Sequence, residues 1–447
     1  MIKESDRNAA RSAMETALRL GASKARVTLV RSVEDLVAVR DGEIDRVTHC
    51  EDSSLSFALF VDGRYGSFST NDFDPDGLES FLGRAVGLTR MLEMDPCRDL
   101  PPRERCCREA LTGNELGLLD PSYDDLTPSE RSRIALDASL KTRSGRTADG
   151  VRWKVVSEEG EYSDSVYDTV VVDSEGLECA HSENCFDYGV EVTVEADGEK
   201  YSGYFWDSSS KLGGADFNAC GPTALSKAVA QIGSDSVMGG KVNMVVDQDV
   251  ASKVVSPILN ALNAYSVQQE NSFLVGTLGR AVFPEGMTLV DQPHIQGETC
   301  SKLFDSEGVA TVEAPIIENG VVKMYFVNTY MAAKTGFEPT VEEATRPALK
   351  PWPREGLGRD EILSMAVDGI LVTDFNGGNC NPATGDFSYG VEGFEFKSGK
   401  IVRPVSGMVV TGNILDLWSH FIASGSDARR CSSKLLPTLA FSNVDFN

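Results

Sequence analysis

Histidine is the scarcest versatile residue in this chain, and its scarcity narrows the available mechanisms. Only His49, His181, His294 and His420 occur, so any site using imidazole as base, acid or ligand draws on these four. A helical zinc site needs a His-Glu pair and a second His about one turn later. Two ring nitrogens then share a face, and the glutamate can deprotonate metal-bound water. No stretch has that order. His294-Ile-Gln-Gly-Glu298 with Cys300 gathers donors, but Pro293 and Gly297 place them in a loop, where an exposed histidine is the simpler reading. His420 and Cys431 lack a third donor fixed by the sequence, short of the three or four ligands zinc takes.

Other chemistries fail on spacing. Gly239-Gly240-Lys241 runs into Val242, and Gly399-Lys400 into Ile401, without the glycine spacing of a phosphate loop. Asp374-Phe-Asn376-Gly-Gly-Asn379 begins like a calcium loop, yet Gly385 stands where the twelfth-position glutamate belongs, so a turn is expected. No Gly-x-Ser-x-Gly elbow is present. Ten cysteines spread from Cys50 to Cys431 without a Cys-x-x-Cys pair, and Cys106-Cys107 is poor spacing for a zinc knuckle. Reduced thiols of a cytoplasmic protein account for them.

The elements that must position any site follow from length and pattern. At 447 residues the chain predicts several domains. Lys and Arg number 42 against 68 Asp and Glu, a net charge of −26, which opposes direct binding to nucleic acid or anionic membranes. No apolar run approaches the roughly 20 residues of a membrane span, and Met1-Ile-Lys-Glu-Ser-Asp-Arg7 lacks a signal peptide's apolar region, so the cytoplasm is expected.

Ala10, Ala13, Met14 and Ala17 share a helical face that Gly21 ends. Strand-like Val27–Val30, Leu36–Val39, Ile44–Val47, Leu55–Val61 and Tyr65–Phe68 follow, with hairpin signals at Asp41-Gly42 and Asp62-Gly63. Asp74-Pro75 opens a helix carrying Leu78, Phe81, Leu82 and Ala85, and the proline- and charge-rich stretch 95–108 reads as a linker. Thr127-Pro-Ser-Glu130 is a capping box that opens a second module. There Val151–Val156, Val166–Val172, Val190–Val194, the Asp197-Gly198 turn, Tyr201–Trp206 and a helix over Pro222–Ile232 repeat the earlier order. A degenerate duplication or the commonness of such hairpins would each explain the repeat. Strand Val242–Val246 and a helix with Val254, Val255, Ile258, Leu259 and Leu262 begin a last, strand-rich part. The expected class is α+β: two small α+β modules, 1–108 and 109–234, followed by a larger, mainly antiparallel β domain, 235–447.

The C-terminal half carries an ordered series of short motifs. Phe304-Asp-Ser-Glu-Gly308, Ile317-Glu-Asn-Gly320-Val321, Thr329-Tyr330 and Gly336 are followed by Thr384-Gly-Asp-Phe-Ser388, Gly390, Gly393-Phe394, Gly399, Pro404-Val405 and Gly412-Asn413. In kind and order this series resembles the TldD/PmbA family of metallopeptidase subunits, once called modulators of DNA gyrase. Weaker similarity through Ser272-Phe-Leu274 and Phe283-Pro284 extends it over essentially the whole chain.

In the TldD branch of that family, His-Glu-x-x-x-His on the helix after the first strand of the C-terminal domain, with a Cys near the C terminus, holds zinc. Here that helix reads Ile258-Leu-Asn-Ala-Leu-Asn-Ala-Tyr265, which puts Asn260, Ala261 and Tyr265 at the motif positions and keeps only Cys431. The resemblance is therefore to the PmbA branch, also called TldE. It implies a subunit without catalytic residues or metal of its own, paired with a zinc-bearing TldD-type partner in a heterodimer, or with itself when alone. The complex would act on unfolded or modified peptides. The stretch 376–389, with Asn376, Gly377, Thr384, Gly385, Asp386, Phe387 and Ser388, is a candidate wall of the substrate chamber, and a plain structural turn is the alternative. Two other functions stay open: an independent hydrolase with an unrecognised site, and a stand-alone peptide-binding protein.

Overall fold

The computed structural model describes residues 2–447. Its N-terminal half is built on one seven-stranded sheet. In chain order come α1 (Glu4–Arg19), β1 (Lys24–Arg40), β2 (Glu43–Val61), β3 (Arg64–Thr70) and α2 (Pro75–Thr89), then α3 (Pro128–Ala138), β4 (Ser144–Arg146), β5 (Arg152–Asp173), β6 (Glu178–Ala196), β7 (Glu199–Ser209) and α4 (Phe217–Ala230). The order is β3-β2-β1-β5-β6-β7, with β4 beside β5. Each half is a helix, three long antiparallel strands and a helix, the second with short β4 added, and the halves meet at the antiparallel β1–β5 seam, where Arg26 faces Asp173 and Arg40 faces Glu159. The repeated order of the sequence thus becomes a two-fold-like arrangement in a single sheet.

The hairpin signals are realised. Asp41, Asp62 and Asp197 have φ of 51°, and Gly42, Gly63 and Gly198 follow at 83°, 75° and 89°. Two successive left-handed residues are what a two-residue turn needs to match strand twist. The strands are longer than their apolar runs, because inward-facing charges interrupt the pattern and are paired. Arg31 reaches Asp6 of α1 at 3.5 Å, while Arg131 of α3 binds Asp164 at 2.7 Å and Asp35 at 3.2 Å. Val27–Val30 and Leu36–Val39 therefore belong to one continuous β1. Helix α4 starts earlier than expected, capped by Asp216, and lies so close to β7 that a Cβ at Gly203 would stand 2.3 Å from the Ala224 carbonyl oxygen.

All four helices cover one face of this sheet. Ala10, Ala13, Ala17, Leu82, Ala85 and Val86 pack on Val27, Leu29, Leu55, Phe57 and Leu59. Ala135, Ala138, Cys220, Ala224 and Ala228 pack on Val37, Val39, Tyr162, Phe186, Tyr188 and Val190. The stretch 95–108 is not a free linker: buried Leu100 and Cys107 dock it, and Cys107 packs with Val171, Cys179 and Phe304. Strand β3 pairs only with Leu55–Val61 of β2, so Glu43–Asp52 form an edge exposed on both faces.

The C-terminal half contains β8 (Gly240–Val246), α5 (Ser252–Ala261), α6 (Ala264–Gln268), β9 (Leu289–Asp291), β10 (Ala314–Glu318), β11 (Val321–Val322), α7 (Thr329–Thr335), β12 (Pro347–Leu349), α8 (Arg359–Ala366), β13 (Gly369–Cys380), β14 (Asp386–Lys397), β15 (Lys400–Asn413), α9 (Ile414–Ser419), β16 (Phe421–Ser424) and β17 (Leu439–Phe446). Six strands run β15-β14-β13-β8-β17-β16, and Val410 of β15 also faces Phe446 of β17, which closes five of them into a ring. Only the β13–β8 pair is parallel in this sheet. A four-stranded sheet, β11-β10-β9-β12, stands beside it. The mixed, mainly antiparallel α+β class is the one expected. Asp374–Asn379 is part of β13, interrupted by register shifts, where a turn was expected. Among the described residues no helix is long and apolar enough to cross a membrane.

Candidate functional site

The helix expected over 251–265 is broken. α5 ends at Ala261, and Asn263 caps α6 by accepting the Tyr265 amide at 2.9 Å. The Ala264 amide donates to Phe326 O at 2.9 Å, which tethers the break. Val254, Val255, Ile258 and Leu259 face the core, so the motif positions divide: Asn260 is exposed, Ala261 buried and Tyr265 half exposed at 52%. Trp418 of α9, fully buried, donates its indole N–H to Val254 O at 3.2 Å and fixes α5 from beneath.

The 376–389 stretch lies beside this break and is a hairpin, not a loop: only 381–385 turns between β13 and β14. The Phe273 amide donates to Pro382 O at 3.2 Å, and the Ser272 hydroxyl to Ala261 O at 2.6 Å, so the turn and the end of α5 share one support. Asn413 donates to Thr384 O at 2.8 Å and to Asp386 Oδ1 at 2.9 Å, and the Thr384 hydroxyl donates to Asp386 Oδ2 at 2.7 Å. These bonds, Asn413 first, hold the Asp386 carboxyl below its ordinary range. Phe387 stacks on Tyr389 at 5.2 Å, and Lys253 of α5 lies 4.8 Å from the Tyr389 ring centre. Asn376 donates to Glu392 at 2.8 Å, Gly377 and Gly385 take φ of 77° and 80°, and Ser388 is exposed.

Cys431 sits elsewhere, on a segment held against β7. Arg429 binds Asp249 at 3.3 Å and Asp207 at 3.7 Å, donates to Trp206 O, and stacks 4.4 Å from the Phe205 ring centre. Buried Arg346 donates to Arg430 O at 2.8 Å and pairs with Glu298 at 3.1 Å. Burial pushes the Cys431 thiol up, with Arg429 opposing. A carboxamide, a methyl, a phenol and one protonated thiol do not make a zinc donor set. Among the described residues no three His, Cys, Asp or Glu side chains converge as a metal group.

The histidines are dispersed. His49 lies on the β2 edge between Asp35 at 2.9 Å and Glu51 at 3.3 Å, and these bonds, Asp35 first, raise its pKa. Buried His181 stands 3.6 Å from Glu183, His294 meets the Thr311 hydroxyl at 2.9 Å, and His420 Nδ1 lies 2.9 Å from Asp416 O.

The helix-free face of the seven-stranded sheet holds a groove of about 550 Å³, lined by residues of β2, β1, β5, β6 and β7 that include Arg46, Glu161, Glu191, Tyr204 and Trp206. Motif reading passed over it. Its signal is the alternation Glu159, Glu161, Ser163, Ser165, Tyr167, a polar face on a strand whose other face is buried.

The fold combines a mainly antiparallel ring of strands, a helix broken between α5 and α6, and an open sheet face. Three consecutive family models match: PmbA/TldA metallopeptidase domain 1 over 25–88, the central domain over 121–232 and the C-terminal domain over 239–447. The chain belongs to the PmbA/TldD family. It is 25% identical over 450 residues to Metalloprotease PmbA of Escherichia coli O157:H7, covering 98% of this chain and 96% of that one. It is 25% identical over 440 residues to a Metalloprotease PmbA homolog of Haemophilus influenzae, covering 96% and 92%. Its fold matches a Bacteroides thetaiotaomicron protein, named among candidate modulators of DNA gyrase, with a TM-score of 0.93, 34% identity and full coverage of both chains. TldE from Thermococcus kodakarensis shares the fold at a TM-score of 0.82 and 17% identity, over 98% of this chain and 99% of that one.

Proposed function

We propose that this chain is the PmbA/TldE-type, non-catalytic subunit of a two-subunit peptidase whose zinc resides in a TldD-type partner. The observation that carries the reading is the donor set: in a chain of a metallopeptidase family, Asn260, Ala261 and Tyr265 occupy the expected motif positions and only Cys431 is kept. On this reading 1–108 and 109–234 supply walls, and 235–447 carries the degenerate site. The 381–385 turn beside the end of α5 borders the chamber, which admits extended peptides and excludes folded ones. Ten unpaired thiols suit a reducing compartment, and we place the complex in the cytoplasm.

The partner's zinc would supply the hydroxide chemistry. This chain's own contribution is to close the chamber and hold the substrate extended. The test compares four samples on one unstructured peptide: each subunit alone, the mixture, and the mixture made with a partner whose motif glutamate is replaced. Chelator-sensitive cleavage is expected only in the unaltered mixture, or at a low level with the partner alone. Chelator-insensitive cleavage by this chain alone would establish an independent hydrolase instead.

A further inference from the structure

Strand register arranges the groove as a cross centred on Gly189. Along β6, Asp187 and Glu191 flank it on the same face, each about 7 Å away at ordinary strand rise. Across the sheet, Glu161 of β5 stands on one side and Trp206 of β7 on the other. Tyr204, directly opposite Glu191, is 54% exposed, and its hydroxyl oxygen lies 2.6 Å from where a Cβ on Gly189 would be. The Tyr204 ring thus covers Gly189, with carboxylates around it and the Trp206 ring beside it.

The charges do not cancel. Glu159 and Glu191 face each other directly across β5 and β6, a like-charge pairing that ordinarily costs stability. Arg40 reaches Glu159 at 3.5 Å and Arg46 reaches Glu161 at 3.3 Å. Among the described residues Glu191 and Asp187 have no cationic partner. Two uncompensated carboxylates beside two rings complement a guanidinium or ammonium group, through charge and through the ring faces. The open sheet face spans five strands, about 19 Å at ordinary strand spacing, room for several extended residues.

We infer that this sheet face binds extended peptides through a basic side chain seated on the exposed Tyr204 ring between Asp187 and Glu191, so that arginine- or lysine-bearing segments are preferred. The inference rests on the peptidase-subunit reading and specifies its substrate. The test titrates the full chain into a labelled, unstructured peptide containing arginines, and into the same peptide with citrulline in their place, by fluorescence anisotropy at low salt. The arginine peptide should bind about tenfold tighter. The preference should shrink to about twofold in the Glu191→Gln, Asp187→Asn double variant, and likewise for the unaltered protein at about 1 M salt, where exposed charges are screened. Equal affinities for the two peptides, absence of binding, or a preference that survives both substitutions would each overturn the inference. The peptide comparison uses unaltered protein, so a folding defect in the variant cannot imitate the result. A mixture with the partner that cleaves both peptides equally fast would leave the subunit reading standing and remove the basic preference.

Discussion

Among the buried charges under the N-terminal sheet, Arg131 offers the sharpest test. It is 7% exposed and rises from α3 of the second module. Its Nε and Nη2 donate to the two carboxylate oxygens of Asp164 at 2.7 and 2.8 Å, and Asp164 is fully buried. Nη2 also lies 3.2 Å from Asp35 of β1 in the first module, and Nη1 donates to Leu126 O at 2.6 Å. Arg131→Met keeps the packing stem but leaves a buried carboxylate without its cation, which costs about 3–5 kcal/mol. For a unit of roughly 200 residues that corresponds to about 6–20 °C in Tm. The Arg131→Met, Asp164→Leu pair removes both charges and should recover most of the loss, because an apolar replacement of a whole buried pair is close to neutral. Scanning calorimetry on the full chain measures all three proteins. An Arg19→Met control, breaking the exposed pair with Glu79, should leave the melt unchanged. If Arg131→Met melts like that control, or the double variant is no better than the single, the buried Arg131–Asp164 pair does not contribute as argued.

Two further outcomes are expected. Elemental analysis of the purified chain should find no stoichiometric zinc, and one zinc per chain that disappears on Cys431→Ser would refute the proposed donor deficit. Asp305 supplies a pH dependence: burial first, then Glu342 and Glu307, pushes its carboxyl up to about 6 while the Val309 and Glu307 amides oppose. The folded chain therefore holds a proton that the unfolded chain has released, between the ordinary aspartate value of about 3.9 and about 6, so stability falls as pH rises through that window and levels off above it. Thermal melts between pH 4.5 and 7 should show this extra decline in the unaltered protein and lose it in Asp305→Asn.

Local signals were legible where the chain solves a local problem. The three Asp-Gly turns and the Asp74-Pro75 and Thr127–Glu130 helix starts all required particular backbone angles, and residue type announces such angles directly. Strand length was not legible in the same way. Arg31, Asp35 and Asp164 interrupt the apolar alternation, and what lets them face inward is a partner on a distant helix, which no window of sequence contains. The union of the two modules was hidden for the same reason. β1 and β5 pair over fifteen positions, yet each reads alone as an ordinary strand, and only the third dimension supplies the seam.

The candidate site divides along that line too. Asn260, Ala261 and Tyr265 could be placed by resemblance, but the break at Leu262–Asn263 depends on the Phe326 carbonyl capturing the Ala264 amide, a contact across sixty residues of chain. That break puts Asn260 on α5 and Tyr265 on α6, so the two positions where the motif has imidazoles do not share one helix. Restoring the residue types with Asn260→His, Ala261→Glu and Tyr265→His therefore restores no zinc site: the third substitution lies on a new helix, and Cys431 is held toward β7 by Arg429. The triple variant should bind zinc no better than the parent in a competition titration. Tight binding would mean that donor identity alone had been missing, and the backbone break would lose its explanatory role.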